Sequence, residues 1–172
     1  KKEWFGLSTL KEPFRVEGKK TMGYEIAEQL DWRLPNVVVY PTGGGTGLIG
    51  MWKAFNEMID LDWLDQKETD RPRMVVVQSD GCAPIVKAFD EGLQENDLWE
   101  KSHTGALGLN VPSPLGGAWI LKTLWDSGGI ALMVDEAQIM EASHEVNELS
   151  GVDGSCEDGV SWLGFKTLVE TG

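Results

Sequence analysis

The sequence predicts an α/β domain with a mainly parallel open sheet and helices on both of its faces. Short apolar runs such as "NVVVY", "MVVVQ" and "GIALMV" have the pattern of strands that are buried on both faces. Segments with apolar residues at helical spacing separate these runs, so strand and helix alternate along the chain. The length of 172 residues suits one domain with a sizeable core.

The first part of the chain predicts a helix, a strand and a second helix. Apolar residues recur at helical spacing over residues 18–30, which predicts the first helix. Glu17 and Thr21 flank its expected start and are predicted to cap it. The apolar run at 37–40 predicts the first strand. After several glycines, apolar residues at helical spacing over 48–59 predict the second helix.

The middle of the chain alternates in the same way before it becomes irregular. The polar stretch "DQKETDRPR", residues 65–73, is predicted to be a surface connection. "MVVVQSDG" predicts a second buried strand and "APIVKAFDEGL" a second return helix. Residues 94–117 hold several glycines and prolines and no clear periodicity. Because loops of this length in compact domains are usually functional or disordered, this segment is a candidate for function.

The last part predicts a helix, a strand and two more helices. "AWILKTLWDSG" reads as a helix closed by glycine, and "GIALMV" as the third strand. "DEAQIMEASHEVNEL" predicts a helix with acidic residues in its first turn, where the helix dipole favours them. "DGVSWLGFKTLVETG" predicts the final helix.

Composition and charge exclude several classes of function. The net charge of −13 argues against nucleic acid and against an anionic membrane surface as partners. No apolar run is long enough to span a membrane, and the first residues lack the apolar core of a signal peptide, so a cytoplasmic protein is expected. Cys82 and Cys156 fit neither a disulfide framework nor zinc spacing, and no metal site is predicted.

The stretch "YPTGGGTGLIG" predicts an anion site, because a glycine-rich turn joins a strand to a helix there. The first N–H groups of a helix have no partner within it, and the helix dipole adds partial positive charge. Gly43, Gly44, Gly45 and Gly47 let the backbone approach a ligand without interference from a Cβ atom. Thr46 adds a hydroxyl donor. These five residues are the predicted anion ligands.

The pattern favours one phosphate group over a dinucleotide. "GTGLIG" satisfies the dinucleotide fingerprint, but no acid ends a strand at the distance that the ribose of a dinucleotide requires. Asp80, the nearest acid at a strand end, lies too far along the chain. A nucleoside-triphosphate loop is excluded because no Gly-Lys-Ser/Thr closes the run. A non-catalytic phosphate-binding or dinucleotide-binding module stays open as an alternative.

A second group of candidate ligands follows the second predicted strand. Ser79 and Asp80 end this strand at the carboxyl edge of the sheet. Ligands of open α/β sheets bind at that edge. The two residues are therefore predicted to contact a substrate.

Several motifs together resemble the threonine synthases, pyridoxal 5′-phosphate enzymes of the tryptophan synthase β-like fold, or fold type II. The motifs, in the order and spacing of that family, are "EGKKTMGYEIAEQL", "PTGGGTGLIG", "QSDGCAPIVKAF", "HTGALGLNVPSPLGG" and "SGGIALMVDEAQIMEA". The resemblance covers essentially the whole chain. It implies that the glycine turn at residues 43–47 binds the phosphate of pyridoxal 5′-phosphate. It also implies that the backbone of the "GALGL" loop, Gly105 to Leu109, lines the cofactor, with Gly105, Ala106 and Leu107 as the expected ligands.

The resemblance also implies an activity. It implies a lyase that converts O-phosphohomoserine and water to threonine and phosphate by β,γ-replacement, a step of threonine biosynthesis. The expected partners are a small amino-acid substrate and, in the full-length enzyme, a second copy in a homodimer. A threonine or serine dehydratase of the same fold is the nearest alternative, since the residues that separate the two activities mostly lie outside the segment that is matched.

The resemblance also implies that residues 1–172 are a single, partial domain. The lysine that forms the Schiff base is expected in a part that precedes Lys1, and a last strand is expected after the final helix. No catalytic residue is therefore assigned within the chain, and the chain alone is expected to be inactive. "CEDGVSW", residues 156–162, departs from the family pattern, with Trp162 where small residues are usual.

Overall fold

The computed structural model describes residues 4–64 and 71–171. The predicted surface connection at 65–73 lies outside the described residues over positions 65–70. The elements in chain order are α1 (Phe14–Gln29), β1 (Val37–Pro41), α2 (Thr46–Asp60), β2 (Arg73–Ser79), α3 (Pro84–Asp90), α4 (Gly117–Asp126), β3 (Ile130–Val134), α5 (Ile139–Ser150) and α6 (Cys156–Thr171). The irregular segment between α3 and α4 contains one short 3₁₀ turn, Leu107–Leu109.

The three strands form one parallel sheet in the order β1-β2-β3. Val75 at the centre of β2 pairs with Val39 of β1 and with Ile130 of β3. β2 is buried from Met74 to Ser79, as expected for a strand covered on both faces. The predicted parallel open sheet is confirmed.

Helices cover both faces of this sheet, because alternate residues of β2 point to opposite sides. Met74 and Val76 belong to a core with Phe55 of α2 and with residues of α3 and α4. Val75 and Val77 belong to a second core, with residues of α5 and α6. The carboxyl ends of the three strands therefore meet at one edge, between the two layers of helices.

The first helix begins earlier than predicted, and the predicted cap is wrong. α1 starts at Phe14, whose N–H donates a 2.6 Å hydrogen bond to Glu12 Oε2. Thr21 lies within the helix, where its hydroxyl donates to the Gly18 carbonyl at 2.9 Å. Glu17 lies in the first turn and forms an ion pair with Lys20 at 2.7 Å. The acidic residue that satisfies the helix start is thus the one before Pro13.

Glycines allow α1 to lie directly against α2. A methyl group added at Gly23 would come within 2.7 Å of the Ala54 Cβ atom. One added at Gly50 would come within 2.7 Å of the Lys19 Cβ atom. The backbones of the two helices thus approach to a distance that only glycine permits. This contact holds the middle of α2 in place.

α6, which begins with the divergent segment, packs closely against α5 and β2 despite Trp162. A methyl group at Gly159 would lie 2.8 Å from the Ser143 nitrogen of α5, and one at Gly164 would lie 2.5 Å from Val77. Trp162 lies against α5, where its Nε1 donates a 2.6 Å hydrogen bond to Glu145. The large side chain therefore takes part in the contact between the two helices.

Within residues 4–64 and 71–171, the structure contains no helix that combines the length and the apolarity needed to cross a membrane.

Candidate functional site

The glycine turn leaves β1 from a firmly held residue. Thr42 is fully buried, and its N–H donates to the Val77 carbonyl at 3.0 Å. Its hydroxyl donates to the Tyr40 carbonyl at 2.9 Å. Its own carbonyl accepts a 2.8 Å hydrogen bond from the side chain of the buried Gln78. With its polar groups engaged, Thr42 fixes the point at which the turn begins.

The turn enters α2 through a left-handed residue. Gly45 has φ of 75° and ψ of 5° and stands immediately before the helix. Side chains other than glycine are strained in this conformation. A methyl group at Gly45 would also overlap the side chain of Ile120 on α4. The first helical hydrogen bond, from the Ile49 N–H to the Gly45 carbonyl, measures 3.0 Å.

The turn presents a run of free backbone donors. Within the part of the chain that the structure describes, the N–H groups of residues 43–48 have no hydrogen-bond acceptor, and neither has the Thr46 hydroxyl. They lie at the N-terminus of a helix of 15 residues, where the aligned peptide dipoles give partial positive charge. Helix N-termini with free N–H groups of this kind are suited to anions such as phosphate.

The turn is closed on two sides and open on a third. A methyl group at Gly43 would lie 2.5 Å from the Gly108 carbonyl oxygen. One at Gly47 would overlap the ring of Tyr40, whose Cζ atom would be 2.6 Å away. A methyl group at Gly44, by contrast, meets no atom within 4 Å. A ligand therefore has room beside Gly44.

Tyr40 is a polar group at the turn that the sequence reasoning did not select. Its hydroxyl lies against Gly47, in the first turn of α2. Burial raises the pKa of the Tyr40 phenol, which therefore stays neutral and keeps its proton for donation. The sequence feature that could have pointed to Tyr40 is a single aromatic residue at the end of an otherwise aliphatic strand.

Ser79 ends β2 as predicted, but its hydroxyl is already engaged. Ser79 is fully buried. Its hydroxyl donates to Glu136 Oε2 and accepts a 3.1 Å hydrogen bond from the Gly81 N–H. The other oxygen of Glu136 accepts a 2.5 Å hydrogen bond from the Gly105 N–H. Ser79 and Glu136 thus join the ends of β2 and β3 to the irregular segment.

Glu136 is a carboxylate that is stabilised in its charged form. Its partial burial acts to raise its pKa, but the hydrogen bonds from Gly105 and Ser79 outweigh that effect. The net result is a pKa below the ordinary value of 4.5. Glu136 therefore accepts these hydrogen bonds as an anion at neutral pH.

Asp80 lies at the carboxyl edge of the sheet, where the sequence placed it. Its side chain is exposed, and its Oδ1 accepts a 3.0 Å hydrogen bond from the Glu136 N–H. Among residues 4–64 and 71–171, its second carboxylate oxygen has no hydrogen-bond partner. Contact between Asp80 and a substrate stays a prediction.

The predicted cofactor-lining segment lies beside the glycine turn. Gly108 and Leu109 are the backbone neighbours of Gly43. Ala106 is fully buried, whereas the Leu107 side chain is 78% exposed. The contact with the turn lies at the backbone of Gly108 and Leu109, at the end of the predicted loop. Contact of Gly105, Ala106 and Leu107 with a cofactor stays a prediction.

Glu157, on the first turn of α6, was missed by the sequence reasoning. Its Oε1 accepts a 2.7 Å hydrogen bond from the Gly108 N–H. The sequence showed only an acid within a segment that departs from the family pattern. The partners are 49 residues apart in the chain, and no periodicity connects them.

The two cysteines are free thiols that lie in different environments. Cys82 is fully buried, and burial raises the pKa of its thiol, so it stays protonated. Cys156 is half-buried at the start of α6. Among residues 4–64 and 71–171, no three His, Cys, Asp or Glu side chains are grouped to hold a metal ion.

The chain is an α/β protein whose parallel sheet carries a glycine turn of free amides at its carboxyl edge. The family model for "Pyridoxal-phosphate dependent enzyme" matches residues 1–157 of the chain. The chain belongs to this family, whose cofactor is pyridoxal phosphate. The turn fits the phosphate of that cofactor, because it offers free donors around an open space beside Gly44.

Similar proteins confirm the resemblance to threonine synthases. The chain is 31% identical to the threonine synthase of Methanocaldococcus jannaschii and 32% identical to that of Methanosarcina acetivorans. Both matches cover 93% of this chain but 38% of the relative, so the chain spans about two fifths of their length. A fungal L-serine ammonia-lyase from Rhizomucor miehei has a similar structure, with a TM-score of 0.72 at 20% identity over 91% of this chain and 46% of that one. This likeness confirms the fold.

Proposed function

We propose that the chain is the cofactor-phosphate-binding part of a threonine synthase, which converts O-phosphohomoserine and water to threonine and phosphate. Identity to threonine synthases over 93% of the chain supports this proposal. The structural observation that carries it is the run of free amides at residues 43–48 around an open space. In this proposal the run holds a single phosphate ester.

Each group at the turn has a defined role in the proposal. The N–H groups of residues 43–48 and the Thr46 hydroxyl donate hydrogen bonds to the phosphate ester of the cofactor. The Tyr40 hydroxyl, which stays protonated, lies against the same turn and keeps it packed. Thr42 and Gly45 hold the two ends of the turn, so the donors are in place before the ligand arrives. Bound pyridoxal phosphate supplies an electron sink for chemistry on an amino-acid substrate.

The residues at the sheet edge complete the proposed site. The backbone of Gly105, Ala106 and Leu107 lines the cofactor beside the turn. Asp80, which is exposed, contacts the substrate, whereas the buried Ser79 acts through its hydrogen bond to Glu136. The charged Glu136 keeps Gly105 at this edge.

The proposed activity needs a lysine from beyond this partial domain. Several lysines in the described ranges are engaged in ion pairs, namely Lys20, Lys53, Lys122 and Lys166. On the resemblance to threonine synthases, we expect the isolated 172 residues to bind the cofactor without releasing product. The complete enzyme is proposed to act in the cytoplasm as a homodimer.

Cofactor binding tests the site. The purified chain is titrated with pyridoxal phosphate, with inorganic phosphate and with NAD, and binding is followed by tryptophan fluorescence. Gly44→Asp places a carboxylate in the open space and is expected to weaken binding of pyridoxal phosphate at least about tenfold through like-charge repulsion. Gly18→Asp makes the same charge change at an open position on α1 and serves as the control. Preferential binding of NAD, or equal binding by Gly44→Asp, would contradict the proposal.

Product analysis tests the reaction. The longer protein that contains these residues is incubated with O-phosphohomoserine, with threonine and with serine. Release of threonine and phosphate from O-phosphohomoserine supports the proposed activity. Release of a 2-oxo acid and ammonia from threonine or serine, without that activity, would assign a dehydratase instead. Threonine formation by the isolated 172 residues would contradict the proposed need for an external lysine.

A further inference from the structure

Gly108 lies between the glycine turn and α6 and touches both. On one side its N–H donates a 2.7 Å hydrogen bond to Glu157 Oε1, and a methyl group at Gly108 would lie 2.9 Å from the same oxygen. On the other side its carbonyl oxygen faces the Cα of Gly43. A single residue without a side chain therefore fills the space between Glu157 and the turn.

Glu157 comes from a helix that is itself firmly placed. α6 lies against α5 at Gly159 and against β2 at Val77 through Gly164. Glu157 occupies its first turn, where the partial positive charge of the helix favours a carboxylate. The position of its carboxylate is therefore tied to the sheet.

A direct bond between Glu157 and a bound phosphate ester is excluded by charge, since both groups are anions that repel one another. The carboxylate instead accepts a hydrogen bond from a backbone N–H, and such charge-assisted bonds are the stronger kind. Whatever Glu157 does for the ligand must therefore pass through Gly108.

We propose that Glu157 is a positioning residue for the glycine turn. Its hydrogen bond fixes Gly108, and the Gly108 carbonyl in turn confines Gly43, so that the free amides of the turn keep one arrangement. The inference rests on the proposed function, because the turn is taken to hold the phosphate ester. It also assigns the divergent "CEDGVSW" segment a role at the site, because Glu157 belongs to that segment.

The other end of the same segment is held independently. Gly105 donates to Glu136, which is bound to Ser79 at the end of β2. Removing the Glu157 carboxylate therefore frees the end of the segment at Gly108 while the end at Gly105 stays attached. The chain is expected to fold without it.

Three variants separate positioning from general stability. Glu157→Ala removes the acceptor, and Glu157→Gln keeps an acceptor oxygen without the charge. Asp158→Ala is the matched control, because Asp158 accepts a 2.7 Å hydrogen bond from the Ser155 N–H within the start of α6 and none from the segment at Gly105 to Leu109. Asp158→Ala is expected to lower the melting temperature without affecting the turn.

Two readouts are measured on the 172-residue chain. Amide hydrogen exchange without ligand measures how well the Gly108 N–H is protected. Titration with pyridoxal phosphate measures the affinity of the turn for the phosphate ester. Glu157→Ala is expected to speed exchange of the Gly108 N–H about tenfold, while the Gly105 N–H, which is held by Glu136, exchanges as before. The same variant is expected to weaken binding of pyridoxal phosphate about tenfold, the effect of losing one hydrogen bond to a charged group. Glu157→Gln is expected to recover most of both effects, and Asp158→Ala to stay within about twofold of the unaltered chain in both.

Unchanged exchange in Glu157→Ala would overturn the proposal. So would a loss of binding in Asp158→Ala equal to that in Glu157→Ala, because the effect would then be general destabilisation. If the unaltered chain binds no pyridoxal phosphate, the proposed function fails. In that case the exchange of the Gly108 N–H still decides whether Glu157 holds this segment.

Discussion

The Gly108 carbonyl oxygen faces the Cα of Gly43 so closely that a methyl group there would lie 2.5 Å from it. This contact joins the turn after β1 to the irregular segment before α4. Because the obstacle is backbone, it cannot move aside as a flexible side chain would. The requirement for glycine at position 43 therefore comes from the tertiary structure.

Gly43→Ala and Gly44→Ala form a matched pair. Gly43→Ala is expected to lower the free energy of unfolding by about 1–3 kcal/mol, the usual effect of overpacking. Gly44→Ala is expected to leave it unchanged or to raise it slightly, because its methyl group meets no atom within 4 Å. Urea denaturation of both variants measures the difference. Equal stabilities would contradict the close contact with Gly108.

Gly45→Ala tests the left-handed residue before α2. The strained backbone at φ of 75° is expected to cost about 1–2 kcal/mol, and the overlap with Ile120 adds to that cost. In an Ile120→Ala background the overlap is relieved and the strain remains. The cost of Gly45→Ala should therefore be smaller there, as a double-mutant cycle of unfolding measurements shows. Strict additivity would mean that Ile120 does not restrict the turn.

Gln78→Ala tests the buried amide beneath the turn. The Gln78 oxygen accepts hydrogen bonds from the N–H groups of Ile85 at 2.9 Å and Val86 at 3.2 Å, at the start of α3. Its nitrogen donates to the Thr42 carbonyl. Removal leaves buried groups without partners, at about 1–3 kcal/mol each where water does not replace them. Thermal denaturation should show a large loss, whereas Gln29→Ala on the exposed end of α1 should show little.

Lys20→Met tests the charged contact between α1 and α2. The Lys20 ammonium pairs with Glu57 at 2.6 Å and with Glu17 at 2.7 Å. These hydrogen bonds hold the pKa of both carboxyl groups below the ordinary value of 4.5. A lowered pKa in the folded state adds stability above the ordinary pKa and loses it as the pH falls through the lowered pKa.

The difference in melting temperature between the unaltered chain and Lys20→Met should therefore be largest near neutral pH. It should shrink as the pH falls below 4.5, where Glu17 and Glu57 become protonated. Lys122→Met, which breaks an exposed pair with Asp126, is the control and should show little effect at any pH. A difference that does not change with pH would mean that Lys20 acts through packing alone.

Several elements could be predicted from the sequence because their cause is local. β2 has a continuous apolar run from Met74 to Val77 because it is buried on both faces. The apolar residues of α2 recur at helical spacing because one face of that helix is buried. The start of α1 could not be predicted in this way. Several polar residues near the start of α1 have side chains that can accept a hydrogen bond from the first N–H groups of a helix. The structure shows that Glu12 does so, because its carboxylate accepts from the Phe14 N–H.

The sequence by itself determined the order of strands and helices, the glycine turn at the head of α2 and the family to which these motifs belong. Only the tertiary structure decided that Glu136 holds Gly105, 31 residues away, and that Glu157 holds Gly108, 49 residues away. The physical reason is the parallel sheet. It gathers at one edge the carboxyl ends of strands that are far apart in the chain, so hydrogen bonds form there between residues that share no local pattern.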